Sequence, residues 1–192
     1  MDASTAIFDL NGETIAQGNS IPIHLGSLVP AVRSILDKYP QSTMRDGDVY
    51  ILNNPYQGGT HLPDVTIVAP VFYDGHPVAI GCTIAHHQDI GGKTPGSVPP
   101  DATEIFQEGL IIPPLKLYDA GVPDSAIHDL IANNVRIPDV VIGDMRAQMA
   151  ACHVASTQIA VVLDEYGEAT FLESVQALLD SSETATRARL KE

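Results

Sequence analysis

Seven histidines occur in the 192-residue chain, and three of them concentrate in two short segments. The first segment is Gly58-Gly59-Thr60-His61-Leu62-Pro63-Asp64. The second is Ala85-His86-His87-Gln88-Asp89-Ile90-Gly91-Gly92. Imidazole and carboxylate groups are what a divalent cation such as Zn, Mn or Fe binds. Two imidazoles and one carboxylate leave a coordination position free for water, and the cation makes that water acidic enough to ionise near neutral pH. The flanking Gly pairs let the backbone turn sharply and let a small molecule approach closely. Spacing alone leaves a second reading open. His61 then caps a turn, while His86 and His87 end a strand and bond to backbone.

The elements on either side decide whether the two segments meet. Residues 65–73 and 78–84 are rich in β-branched side chains, and Asp74-Gly75 between them is a turn signal. If these runs pair as a hairpin, the start of the first adjoins the end of the second. His61, Asp64, His86, His87 and Asp89 then gather at one end of a sheet. Both runs are apolar at nearly every position, so both faces of that sheet should be covered. Pro70 argues for an edge or a bulge. Residues 5–17 read as another hairpin around Asn11-Gly12, and 25–39 as a helix with Leu28, Val32, Ile35 and Leu36 on one face and Pro30 in its first turn. Residues 91–114 form a long Gly- and Pro-rich irregular stretch, a length often tied to function. After Gly121 the pattern turns helical: 124–133 with Asp124 as N-cap, 140–163 rich in Ala, and 168–191. The expectation is an α+β fold in a single domain over 1–192. N-terminal hairpins and a mixed β-sheet fill residues 1–120, and helices fill 121–192.

Composition narrows the function. Acidic residues number 24 against 10 Lys and Arg, a net charge of -14, so no basic face is available for nucleic acid or anionic membrane. Hydrophobic residues make up 44% and charged residues 18%, the opposite of a disordered chain. No stretch approaches the roughly 20 apolar residues that span a bilayer. The first residues carry no basic, then apolar, leader pattern. Cys82 and Cys152 read as free buried thiols in a reducing compartment, which makes cytoplasmic location the expectation.

Several motifs fail on inspection. Gly92-Lys93-Thr94 looks like the end of a phosphate-binding loop, but His87 stands where its first Gly belongs, and Pro95 blocks the helix that should follow. No His-Glu-x-x-His occurs. Ser97 lacks a nucleophile elbow, and Cys82 sits within an apolar strand. Asp101, Glu104 and Glu108 would align on a helical turn, as a capping set or as substrate-site acids. His24 should satisfy the N-terminus of the first helix. Arg136, Asp144, Arg146 and Gln148 read as an ordinary solvated or salt-bridged set, and His76, His128 and His153 as structural.

The ordered motifs resemble the hydantoinase B / 5-oxoprolinase family. They include Ile21-Pro22-Ile23-His24-Leu25-Gly26-Ser27, Gly47-Asp48-Val49, Asn53-Asn54-Pro55-Tyr56, the two histidine segments and Pro95-Gly96-Ser97. They continue through Asp101-Ala102-Thr103-Glu104, Ile105-Phe106-Gln107-Glu108-Gly109-Leu110, Ile112-Pro113-Pro114 and Gly143-Asp144 with Ala147-Gln148. The resemblance implies a B-type subunit of an ATP-dependent complex. A companion A-type subunit uses ATP to activate a small cyclic amide such as hydantoin, 5-oxoproline or a lactam. The B-type subunit binds a divalent metal ion and completes ring opening with water. It implies metal ligands at His61, Asp64 and His86, with an acidic ligand at Asp2, and catalytic assistance from His87 and Asp89. Related complexes carboxylate ketones with the same pair of modules, and a non-catalytic assembly module is a further alternative. Family B subunits are more than twice this length, so a truncated form or fragment is expected.

Overall fold

The computed structural model describes residues 2–191. Asp74 and Gly75 both take positive φ, +47° and +81°, the backbone of a tight hairpin turn. They join β4 (Asp64–Tyr73) to β5 (His76–His86), and the register pairs Asp64 directly with His86. Around this hairpin the sheet grows on both sides. β1 (Ala3–Phe8) pairs with β5, and β2 (Thr14–Gln17) folds back on β1. On the other side lie β3 (Val49–Leu52), β6 (Leu115–Asp119) and the two-residue β7 (Val122–Pro123). The order is β2-β1-β5-β4-β3-β6-β7. Every pairing is antiparallel, so the sheet of this α+β fold is not mixed as the sequence suggested. Successive strands are neighbours in β1–β2, β3–β4, β4–β5 and β6–β7, whereas α1 carries the chain across the sheet from β2 to β3 and the long stretch after β5 returns it to β6.

Both faces of the sheet are covered. Helix α1 (Pro22–Lys38) lies on one face, where Leu28, Val32 and Ile35 meet Phe8, Leu52, Ile80 and Ile84. Helices α2 (Ser125–Asn134), α3 (Pro138–Tyr166) and α4 (Glu168–Arg189) lie on the other. There Val65, Ile67 and Leu117 pack on Val141 and Met145, while Val71 packs with Ile159, Leu163 and Phe171. Two covered faces explain the near-continuous apolar runs of β4 and β5. Cys82 and Cys152 are free and buried, and burial pushes both thiols up in pKa, Cys152 to about 12. No helix among the described residues is long and apolar enough to cross a membrane.

Three local expectations need correction. α1 begins three residues early because Pro22, with its preset φ and absent N–H, takes the first helical position. Pro30 therefore lies inside the helix and not in its first turn. Of the two readings of Pro70, the edge is excluded because β4 is central, and the bulge is met one residue on, between Val71 and Phe72, beyond the end of the β3 ladder at Val68. Asp101, Glu104 and Glu108 do not share a helical face. Residues 91–114 hold only a single 3₁₀ turn, Ile105–Gln107, and Asp101 pairs with Lys93. Asp124 does cap α2, accepting the Ile127 N–H.

Candidate metal centre

The histidine segments are brought together by the strands and fixed by their loops. Asp64 and His86 face each other in register at the open end of the β4–β5 hairpin. Both project toward the α1 side, because alternation along β5 places Ile80, Cys82 and Ile84 in that core. The loop carrying His61 presses against α1. A Cβ on Gly58 (φ +106°) would stand 2.3 Å from the Ala31 backbone nitrogen, so only glycine permits this approach. The fully buried Asn53 amide ties that loop down, donating to Leu62 O and Leu110 O while its Oδ1 accepts the Ile112 N–H.

His61 Nε2 is 3.0 Å from Asp64 Oδ1, His86 Nδ1 is 3.1 Å from the same oxygen, and the two imidazole nitrogens are 3.1 Å apart. Three ligand atoms thus form a nearly equilateral triangle. An imidazole nitrogen offers one in-plane direction, for a proton or a lone pair, so neither ring can satisfy two partners at once. The shape suits a cation: a tetrahedral ion with bonds of about 2.0–2.1 Å holds its donors roughly 3.3 Å apart. The donor chemistry also fits, with two imidazoles and one carboxylate. Asp64 is nearly inaccessible, and burial works to raise its pKa. Hydrogen bonds from His61 and Thr60, together with the positive fields of His61 and His24, outweigh that and hold it at about 2. The carboxylate is therefore available as a ligand throughout the neutral range. Its hydrogen bond raises the pKa of His61 in turn, helped by the negative charges of Asp64, Asp2 and Glu108.

The sequence model of the hydantoinase B/oxoprolinase family matches residues 1–192. The chain belongs to this family. It is 38% identical over 191 residues to caprolactamase subunit beta of Pseudomonas jessenii, covering 100% of this chain and 33% of that one. The crystal structure of the ATP-dependent caprolactamase from Pseudomonas jessenii superposes with a TM-score of 0.93 over all of this chain and 33% of the other. 5-Oxoprolinase of Dictyostelium discoideum is 35% identical over 168 residues, 87% of this chain and 13% of that one. Acetone carboxylase in its nucleotide-free structure shares the fold, with a TM-score of 0.81 at 21% identity over 88% of this chain and 22% of that one. The chain spans about a third of the length of the caprolactamase subunit.

Within this member of the hydantoinase B family, the residues singled out in the sequence separate. His61, Asp64 and His86 converge. Asp2 lies at the rim: its carbonyl accepts the His86 N–H at 2.9 Å, and its Oδ1 stands 3.5 Å from His24 Nε2. His87 follows His86 and so points to the opposite face, where its Nε2 meets Gln148 Oε1 of α3 at 2.9 Å. Burial lowers its pKa, and Nδ1 has no hydrogen-bond partner among the described residues. Asp89 does not approach the triad. It receives the Arg136 guanidinium and backbone N–H, both at 2.8 Å, and the Gly91 N–H, which lock the long loop to the α2–α3 junction.

Sequence reasoning missed His24. It stands in the first turn of α1, 3% exposed, with Nε2 3.3 Å from Asp64 Oδ2. The stripe Leu28, Val32, Ile35 extended one turn back would have found it, since positions four apart share a face. Thr60 was missed too; its hydroxyl hydrogen-bonds Asp64 Oδ2. At the same end of the sheet but on its α3 face, a cavity of about 280 Å³ opens between β1, β5 and α3, bordered by Asp2, Ser4, His86, Asp144, Ala147 and Ala151. Its volume is below the ~300–1,000 Å³ of drug-sized sites, and its walls are mainly apolar, which suits a compact molecule.

Proposed function

We propose that this chain is the metal-binding part of a B-type subunit in an ATP-dependent cyclic-amide hydrolase, with an A-type partner that uses the ATP. The observation that carries the reading is the triangle of His61, Asp64 and His86 donor atoms, 3.0–3.1 Å on each side. The substrate class is a small cyclic amide: a lactam, 5-oxoproline or a hydantoin. Family membership and the likeness to caprolactamase subunit beta support this class.

An amide resists attack because its C–N bond has partial double-bond character. Activation of the amide with ATP by the partner weakens that resistance. A divalent cation bound by His61, Asp64 and His86 supplies a Lewis acid and acidifies water beside the substrate. The chain's own residues do the rest. Asp64 aims both imidazoles at one point. Ring opening adds water across the C–N bond: oxygen bonds to the carbonyl carbon, and the ring nitrogen leaves as an amine after taking a proton. Asp2 completes the centre from the rim. His87 acts through Gln148, and Asp89 positions the loop that follows His86.

Elemental analysis of the purified chain and of His61→Ala and His86→Ala variants tests the centre. Near-stoichiometric Zn, Mn or Fe that is lost in both variants is expected. A folded, metal-supplemented chain that retains none would sink the reading. ATP turnover with an A-type partner, driven by a lactam or hydantoin and not by acetone plus bicarbonate, separates the hydrolase from the ketone-carboxylase branch. Metal binding without turnover on either substrate would leave the chain as an assembly module.

A further inference from the structure

Asp64 has two oxygens with different company. Oδ1 faces His61 and His86, whereas Oδ2 faces Thr60 Oγ1 and His24 Nε2. A carboxylate free to rotate would offer either oxygen, or both, to a cation. Holding Oδ2 leaves Oδ1 as the ligand and makes the binding one-toothed. Hydrogen-bonded partners behind the ligands set orientation in this way at metal sites.

His24 is itself held from behind. Its Nδ1 is 3.1 Å from Ser4 Oγ, Ser4 Oγ is 2.8 Å from Ser20 Oγ, and Ser20 Oγ donates to Ala3 O at 2.7 Å. The direction of this relay follows from its end. A carbonyl only accepts, so the single Ser20 hydroxyl proton is committed to Ala3 O. Ser4 must then donate to Ser20, and Ser4 Oγ is left to accept from His24 Nδ1–H; Asp64 Oδ2 only accepts, so the ring holds it through a second proton, on Nε2. The ring cannot flip without breaking that bond, so Nε2 stays aimed at Asp64. The relay joins β1, the loop after β2 and the first turn of α1. Alternation along β1 puts Ser4 on the same side as Ala6 and Phe8, facing α1.

We propose that His24, locked by the Ser4–Ser20–Ala3 relay, is a positioning residue that fixes Asp64 as a one-toothed metal ligand through its Oδ1. The assignment rests on the reading of His61, Asp64 and His86 as the metal centre. It assigns no ligand role to His24 itself.

The test measures Zn2+ affinity of the full chain by chelator competition, the visible spectrum of its Co2+ form, and the melting temperature of the metal-free protein. His24→Gln should weaken Zn2+ binding about 10–100-fold and alter the Co2+ bands, the range seen when residues behind a metal ligand are replaced. Ser4→Ala, which leaves His24 in place but removes its lock, should weaken binding about tenfold. Ser4→Thr restores the hydroxyl, so its affinity should return to within about threefold of the parent. Ser4→Ala and His24→Gln both binding as tightly as the parent would overturn the proposal. So would Ser4→Thr binding as weakly as Ser4→Ala, because packing and not the hydroxyl would then be at work. If His24→Gln fails to fold, the two Ser4 variants decide. A parent chain that binds no Zn2+ removes the metal centre and not merely the role of His24.

Discussion

Asp48 and Asp64 are both buried aspartates, 1% and 3% exposed, set toward opposite ends of the central hairpin. Around Asp48 every partner donates and keeps its proton at neutral pH: two backbone N–H groups, the Lys116 ammonium and the Tyr50 hydroxyl, whose pKa burial and the bond to Asp48 push up. Oδ1 accepts the Ala120 N–H at 2.8 Å; Oδ2 accepts from Lys116 Nζ at 2.7 Å, Tyr50 OH at 2.9 Å and Arg45 N at 3.0 Å. Burial works to raise its pKa, and these donors together bring it below the usual carboxylate range. The knot ties the turn before β3 to the β6–β7 hairpin, and no position is left for a guest. Around Asp64 stand three imidazoles and one hydroxyl. An imidazole nitrogen can carry a proton or present a lone pair, so the same negative charge can be balanced by protons or by a cation. Burial and a depressed pKa are common to both sites. What distinguishes a candidate metal centre from a structural ion pair is whether the partners can surrender their protons.

That contrast breaks or holds under the same substitution at both positions. Asp64→Asn should reduce metal affinity about a hundredfold or more, because a neutral amide replaces the charged oxygen on which two imidazoles converge. Asp48→Asn should leave metal affinity within about threefold and instead destabilise the fold by about 3–5 kcal/mol, the usual penalty for removing one partner of a buried ion pair. Calorimetric titration with Zn2+ and denaturant unfolding measure the two quantities. Loss of metal in Asp48→Asn with the fold intact would erase the distinction.

The hairpin that builds the centre was legible because its signals are local. Val65 to Tyr73 and Val78 to Ile84 have strand chemistry, Asp74-Gly75 has turn chemistry, and pairing arithmetic then brings Asp64 to His86. β3 and β6 were not legible. Val49–Leu52 is four residues long and Leu115–Asp119 five, too short for a period to declare itself, and their partners are distant in sequence. His24 was hidden by a helix start placed at Leu25 and not at Pro22. Asp89 misled for the opposite reason. It lies close to His86 in sequence, yet Arg136, 47 positions onward, supplies the contact that orients it. Proximity in sequence located the segment correctly and assigned this side chain wrongly to the company of the ligands.

Asp89 sharpens the comparison as a third buried carboxylate, and its partners place it with Asp48. Arg136 and two backbone N–H groups are all fixed donors. Asp89→Asn turns one acceptor into a donor that faces them. A loss of about 1–3 kcal/mol is expected, less than at Asp48 because Arg136 is partly solvated, with metal affinity unchanged. Unfolding and Zn2+ titration on one preparation check both halves. A metal loss with full stability would return Asp89 to the centre.

The smallest effect is a pH dependence, and it isolates the charge of Asp48 from its shape. A carboxylate whose pKa is lower in the folded chain than in the unfolded one binds fewer protons when folded at intermediate pH. Its contribution is therefore fully present above the unfolded value of about 3.9 and is lost as pH falls through the folded value. Asp48 meets that condition, since Lys116, Ala120, Arg45 and Tyr50 favour its ionised form. The stability gap between the metal-free parent and Asp48→Asn should be widest near pH 6 and should narrow toward pH 3. One group can change it by at most about 1.4 kcal/mol per pH unit. Denaturant unfolding at both pH values reads the gap. A constant gap would mean that Asp48→Asn lost hydrogen-bond geometry alone, and that the paired charge does not separate the structural aspartate from the one at the metal centre.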